Sequence, residues 1–257
     1  MVKKIKQYIP NLLTCCNLMA GFYACIQALS GNCETALVAV LIAAGFDFLD
    51  GLVARILHAF SPIGKDLDSL ADMVSFGIAP GMMVFNFLDC MQKTVDWTYP
   101  IYGKLFLIAA FAIPVFSALR LAKFNNDERQ HVSFIGLPVP AHAILWMSLI
   151  YTLAPLESKF HWDGWIVSQS AIASFTTALP PVCTLVGIAL LAVGTSLLLI
   201  STIPMFSLKT TSLAWKGNEC RYILLIVAVA CTGCAGVAGI TATILLYIIF
   251  SIFNKQP

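Results

Sequence analysis

The sequence predicts an all-α integral membrane protein, a bundle of about seven transmembrane helices (six to eight) with its functional site at the cytoplasmic side. Three observations predict it. Charged residues are 11% and apolar residues 59% of the 257 residues, against roughly 25% and roughly 45–50% in soluble proteins. Too few charges remain to cover a water-facing surface. The apolar residues collect in runs near the ~20 residues with which an α-helix crosses ~30 Å of hydrocarbon. Finally, the lysines and arginines fall mostly on one side of those runs.

The first span, 11–29, follows a stretch with three lysines, Lys3, Lys4 and Lys6. No small-residue cleavage site comes after it, so it is expected to be a retained helix with a cytoplasmic N-terminus and not a removable signal peptide. The second and third spans, 35–57 and 67–88, are joined by a short polar loop around His58 to Lys65, which makes them antiparallel neighbours. The fourth, 101–123, ends on Arg120 and Lys123. The fifth, 138–155, carries His142, read as a hydrogen-bonded interior residue.

Residues 156–181 form an expected external loop whose Trp162 and Trp165 sit at headgroup level, and a sixth span covers 182–203. The last run, Tyr222 to Phe253, is long for one untilted span and short for two with a turn. One tilted helix over 221–252 is expected, with Gly233, Gly236 and Gly239 as helix contact points and not turn residues. The alternative is an eighth span. Residues 1–257 are read as one membrane domain.

With the N-terminus cytoplasmic, the loops on that side hold eleven of the fifteen basic residues: Lys3, Lys4, Lys6, Arg55, Lys65, Arg120, Lys123, Arg129, Lys209, Lys216 and Arg221. Lys93, Lys104, Lys159 and Lys255 fall opposite, the bias of the positive-inside rule. A net charge of +2 with no basic stretch interleaved with aromatics excludes nucleic acid as the main partner. The nine cysteines are odd in number and lie mostly within apolar runs, where a cysteine acts as a small hydrophobe. Cys231 and Cys234 make a C-x-x-C with no accompanying histidine or cysteine, which supports neither zinc nor redox chemistry.

Ionisable residues within a span cost about 2.5–3.5 kcal/mol each, so Asp47, Asp50, Asp68 and Asp72 together would cost on the order of 10–14 kcal/mol uncompensated. At ~100° per residue, Asp50, Gly51, Ala54 and Arg55 all lie within about 80° of Asp47. On the next helix Asp72 lies about 40° and Ser75 about 20° from Asp68, whereas Asp66 lies about 160° away. Two acidic stripes can therefore converge with a surplus of negative charge, and hard divalent cations are the natural counter-ions. Mg²⁺ or Mn²⁺, one or two ions, suits carboxylate oxygens better than zinc does. Two such ions in a pocket of small residues suit the oxygens of a phosphoryl group undergoing displacement. Gly51 and Ala54 either admit a ligand to the backbone or let helices pack closely.

Residues 47–72, D-F-L-D-G-L-V-A-R-I-L-H-A-F-S-P-I-G-K-D-L-D-S-L-A-D, resemble the signature of the CDP-alcohol phosphotransferases, D-x2-D-G-x2-A-R-x8-G-x3-D-x3-D. Every fixed position is present: Asp47, Asp50, Gly51, Ala54, Arg55, Gly64, Asp68 and Asp72. Leu67 to Pro80 (L-D-S-L-A-D-M-V-S-F-G-I-A-P), Pro10 to Gly21 (P-N-L-L-T-C-C-N-L-M-A-G), Arg120 to Asn125 (R-L-A-K-F-N) and Phe134 to Ala141 (F-I-G-L-P-V-P-A) resemble the phosphatidylserine synthase subgroup. The likeness covers roughly residues 8–145.

The resemblance implies a multi-pass enzyme of a bacterial or archaeal cell membrane with a cytoplasmic active site. It implies transfer of a phosphatidyl group from CDP-diacylglycerol to L-serine with release of CMP, contact with membrane lipids, and a homodimer. It implies that Asp47, Asp50, Asp68 and Asp72 hold Mg²⁺ or Mn²⁺, two ions, with Asp72 also the general base. Gly51, Ala54, Arg55 and Gly64 would line the cytidine diphosphate cleft, closed by Thr14 and Asn17 of the first span. Arg120 and Lys123 are the candidates for the serine carboxylate, and Asp66 for its amine. Lys123 stands where the subgroup also uses arginine, which keeps the charge and loses the bidentate fork. Another acceptor, such as glycerol phosphate or an inositol phosphate, would favour a denser basic cluster. A cation or proton transporter would more naturally place its aspartates near the midplane, with inverted repeats.

Overall fold

The structure, a computed structural model, describes residues 2–59, 61–97, 100–126, 136–154, 180–203, 205 and 219–253. Among these there is no β-strand, and the helices are α1 (Val2–Leu29), α2 (Cys33–Ile56), α3 (Pro62–Asp72), α4 (Ala79–Gln92), α5 (Pro100–Leu107), α6 (Ala112–Asn126), α7 (Val139–Leu153), α8 (Pro181–Ile200), α9 (Glu219–Ala235) and α10 (Val237–Phe253). A π-helical section, Met73–Ile78, joins α3 to α4, and a 3₁₀ section, Ile108–Phe111, joins α5 to α6. Among the described residues five helical segments are long and apolar enough to cross a membrane: Tyr8–Leu29, Cys33–Ile56, Ile63–Gln92, Ile101–Asn126 and Pro181–Ile200. Val139–Leu153, Tyr222–Ala235 and Val237–Ser251 are shorter apolar helices. The protein is an integral membrane helical bundle. The expected external loop 156–181 lies outside the described residues except at Pro180 and Pro181.

Local chemistry sets the helix ends that bound the site. Pro62 opens α3 at a position where its missing N–H is not needed, and Ser61 Oγ accepts from the Gly64 N–H at 3.0 Å, a side-chain N-cap. Ahead of it, His58 turns the chain at φ 49°. At the other end of the bundle, Gly31 turns α1 into α2 at φ 79°, a left-handed conformation that glycine adopts without a Cβ penalty.

One expectation needs correction. The last apolar run is two helices and not one tilted rod. Gly236 breaks it at φ 58°, and a Cβ on Gly239 would collide with the Cys231 backbone, so the chain folds sharply onto itself. The glycines supply both the corner and the close approach, a combination that spacing within an apolar run does not distinguish from a packing stripe. The second and third spans meet as expected, α2 touching the π-helical section and α4, and the first helix packs along α2 and also against α3, the π-helical section and α4. Small buried residues, Ala24 and Ala28 on α1 and Ala36, Ala39 and Ala43 on α2, permit the close α1–α2 pairing. Gly21 permits the other contact, because a Cβ there would collide with Ser75.

α7 is the most enclosed helix, with Leu145, Trp146, Met147 and Ile150 fully buried. His142 is also fully buried. It lies 3.0 Å from Thr195 Oγ1 through Nε2 and accepts from Trp146 Nε1 at 3.1 Å, the hydrogen-bonded interior residue expected. Ser148 and Thr241, 2.8 Å apart, tie α7 to α10. No disulfide forms among the described cysteines.

Candidate active site

The site lies where the N-terminal part of α1, the C-terminal end of α2 and the N-terminal end of α3 meet. Carboxylate oxygens of Asp47, Asp50 and Asp68 come within 4.8 Å of one another. Thr14 Oγ1 donates to Asp50 Oδ2 over 2.5 Å, while Asp68 Oδ1 is buried with no hydrogen-bond partner. Three converging carboxylates, one with an orphaned buried oxygen, form a donor set that a hard divalent cation satisfies. The residues present therefore fit the expected metal.

Asp72, expected as a fourth ligand, lies outside this three-carboxylate group. It is buried, and Asn17 Nδ2 donates to its Oδ1 over 3.1 Å. The extra residue of the π-helical turn begins directly after it, a feature frequent at functional sites.

Two cavities flank the aspartates. The first, about 240 Å³, is lined by residues that include Thr14, Asp50, Gly51, Ala54, Arg55, Gly64, Lys65 and Asp68. Gly51 has open space where a Cβ would point. Close helix packing therefore does not require its smallness, and Gly51 lines the cavity. Gly64 is different: a Cβ there would lie 2.9 Å from Asn11 Oδ1 and Ser61 Oγ. The second cavity, about 180 Å³, is lined by Lys65, Asp68, Ser69, Asp72, Arg120, Leu121, Phe124, Asn125, Pro138, Val139 and Pro140. The two cavities share Lys65 and Asp68.

Of the residues expected to bind nucleotide, Thr14, Gly51, Ala54, Arg55 and Gly64 line the first cavity, and Asn17 lines neither. Arg120 is 4% exposed, lines the second cavity and stacks over the Phe124 ring, 5.7 Å from its centroid. Lys123 and Asp66, the other expected acceptor contacts, are both exposed and line neither cavity. The Lys123 ammonium lies 3.4 Å from the Ile200 carbonyl at the end of α8, where a cation satisfies an otherwise open helix terminus. The Leu137 N–H caps the same terminus at Leu198 O.

Lys65 is a site residue that its place in a polar loop conceals. Its Nζ donates to the Asn125 carbonyl at 3.0 Å, and Asn125 Nδ2 donates to Ser69 Oγ at 2.8 Å, closing α6 against α3 beside the cavities. The signal was available: three positions before Asp68, Lys65 lies about 60° from it on the helix.

Residues 7–170 match the sequence profile of the family described as CDP-alcohol phosphatidyltransferase. The chain is 33% identical over 149 residues to the CDP-diacylglycerol–serine O-phosphatidyltransferase of Bacillus subtilis (strain 168), covering 58% of this chain and 78% of that protein. It is 32% identical over 230 residues to the Mycobacterium tuberculosis (strain ATCC 25618 / H37Rv) protein of the same description, covering 87% and 68%. The archaetidylserine synthase of Methanothermobacter thermautotrophicus is 32% identical over 157 residues, covering 58% of this chain and 61% of the relative.

Proposed function

The chain belongs to the CDP-alcohol phosphatidyltransferase family, and from that premise we propose that it transfers a phosphatidyl group from CDP-diacylglycerol to L-serine, releasing CMP. The observation that carries the reading is the pair of cavities meeting at Asp68 and Lys65. One has small residues and cations suited to a nucleoside diphosphate. The other presents Asp72 and the buried Arg120 together, a base and a carboxylate partner for one small amino acid.

In this scheme the diphosphate enters the first cavity at Gly51, where backbone approach is open, and faces Arg55 and Lys65. Arg120 binds the serine carboxylate in the second cavity, placing the serine hydroxyl beside Asp72. Asp72 takes the hydroxyl proton as serine Oγ bonds to the lipid-linked phosphorus and the bond from that phosphorus to the CMP oxygen breaks. Asp47, Asp50 and Asp68, with Asp72 as the further ligand the resemblance implies, would hold two divalent ions, Mg²⁺ or Mn²⁺, whose chemistry is to neutralise the diphosphate and stabilise departing CMP. Acceptors that carry a phosphate are disfavoured, because among the described residues Arg120 and Lys65 are the only cations lining the second cavity and Lys65 is shared. The transporter alternative falls with the family assignment. A homodimer belongs to this reading from the family resemblance.

The test is incubation of the purified protein and CDP-diacylglycerol with a panel of alcohols, following CMP release. Release with L-serine and not with glycerol phosphate or inositol phosphate is the expected result, and release with one of the phosphate acceptors in place of serine overturns the acceptor.

The reading also places the N-terminus and the active site on the cytoplasmic face of the cell membrane, supported by the charge bias. A cysteine introduced at Ser61 should label only from the cytoplasm and one at Ser158 only from outside. The reverse pattern would invert the topology.

A further inference from the structure

One pair of buried polar residues at the site takes no part in that scheme. Asn17 and Ser75 are both completely buried, and neither lines a cavity. Asn17 Nδ2 donates to Asp72 Oδ1 over 3.1 Å, and Ser75 Oγ donates to Asn17 Oδ1 over 2.6 Å. The order of these bonds leaves the amide one orientation. Turned over, Asn17 would present its carbonyl oxygen to the Asp72 carboxylate, acceptor against acceptor.

The backbone is shaped around this chain of hydrogen bonds. Gly21 lies one helical turn beyond Asn17, and a Cβ there would collide with Ser75. Only a glycine lets α1 come close enough for the short Asn17 side chain to bridge both partners. On the other side, Ser75 sits within the π-helical section that begins immediately after Asp72. Two local departures from ordinary helix packing thus converge on Ser75, the outer partner of this chain of hydrogen bonds.

We propose that Asn17 and Ser75 are positioning residues for the phosphatidyl transfer. They clamp Asp72 Oδ1, so that the other carboxylate oxygen serves the acceptor cavity that Asp72 lines. That oxygen receives the proton of the serine hydroxyl while the serine Oγ–phosphorus bond forms and the bond from phosphorus to CMP breaks. The proposal rests on Asp72 being the base of the reaction given above. It moves Asn17 from the nucleotide contact that the family resemblance implies to a role exerted entirely through Asp72.

The test is a double-mutant cycle with Asn17→Leu and Ser75→Ala in the full-length protein, with binding of CDP-diacylglycerol and thermal unfolding measured on each variant. Asn17→Leu should lower kcat by roughly 10²-fold, the scale of a misplaced reacting group, and Ser75→Ala by about 10-fold, as for a partner that orients a site residue. KM for both substrates, and CDP-diacylglycerol affinity, should stay within about twofold because neither residue meets a ligand. The double variant should be no slower than Asn17→Leu alone, since Ser75 acts only through Asn17.

A raised CDP-diacylglycerol KM or weakened binding in Asn17→Leu would restore the nucleotide role and overturn the proposal. Losses that simply add, or an unchanged kcat in either single variant, would overturn it as well. If Asn17→Leu does not fold, Ser75→Ala decides alone, because it removes a single oxygen. If the wild-type protein releases CMP with another alcohol and not with serine, the acceptor reading fails while the same cycle, run on that alcohol, still tests the pair.

Discussion

Asp68→Asn should slow CMP release by about 10³-fold while the protein still folds. Asp47, Asp50 and Asp68 hold carboxylate oxygens within 4.8 Å of one another. At that separation, with an effective dielectric of about 20, two unit charges repel by about 3–4 kcal/mol. Replacing one carboxylate by an amide of the same shape relieves repulsion in the metal-free protein and removes a ligand from the metal-bound one. Losing about 4 kcal/mol of charge stabilisation in the transition state slows turnover by about 10³-fold. The same loss is expected for Asp47→Asn.

Thermal unfolding separates this from misfolding. The wild type should gain stability as Mg²⁺ or Mn²⁺ is added, since a ligand that binds only the folded state raises its stability. Asp68→Asn should unfold at the same or a higher temperature without metal and gain little when metal is added. Full turnover in excess EDTA, or an Asp68→Asn variant with wild-type activity, would refute the metal site.

Arg120→Lys should mainly weaken the use of serine. The guanidinium is almost completely buried beside Asp72 in the second cavity and is stacked on Phe124, so its plane is held. A planar fork can make two parallel hydrogen bonds to a carboxylate, where an ammonium is a point charge on a flexible stem. A charge-assisted contact of about 1.5–3 kcal/mol corresponds to a rise of roughly 10- to 150-fold in the serine KM. The KM for CDP-diacylglycerol should move little, since Arg120 does not line the first cavity. An equal loss for both substrates would make Arg120 a diphosphate contact. An unchanged serine KM would leave it an interface anchor.

Much of the site was legible because its residues lie on short, regular helical segments. From Asp47 to Arg55, and from Asp68 to Asp72, a constant rotation per residue holds, and the cost of charge in hydrocarbon makes any such stripe conspicuous. The membrane class followed from composition for the same reason, since lipid forbids unpaired backbone and leaves helices as the way to bury long apolar runs.

Where one residue's geometry decided the outcome, the pattern was silent. Gly236 at φ 58° turned one expected helix into two, and Lys123 reached the end of α8 when its position on α6 pointed equally well to a substrate. Asn17 could be placed near the aspartates by likeness to a family. Its attachment to Asp72 depended on α1 packing against both α2 and α3, and on how closely Gly21 lets it approach the π-helical turn at Ser75. The sequence by itself determined the membrane fold, the acidic stripes and their affinity for hard cations, because these arise from residue type and a fixed helical period. Only the tertiary structure decided that Asp47, Asp50 and Asp68 bring their oxygens within 4.8 Å of one another and that Asn17 meets Asp72, because both are contacts between helices remote in the chain.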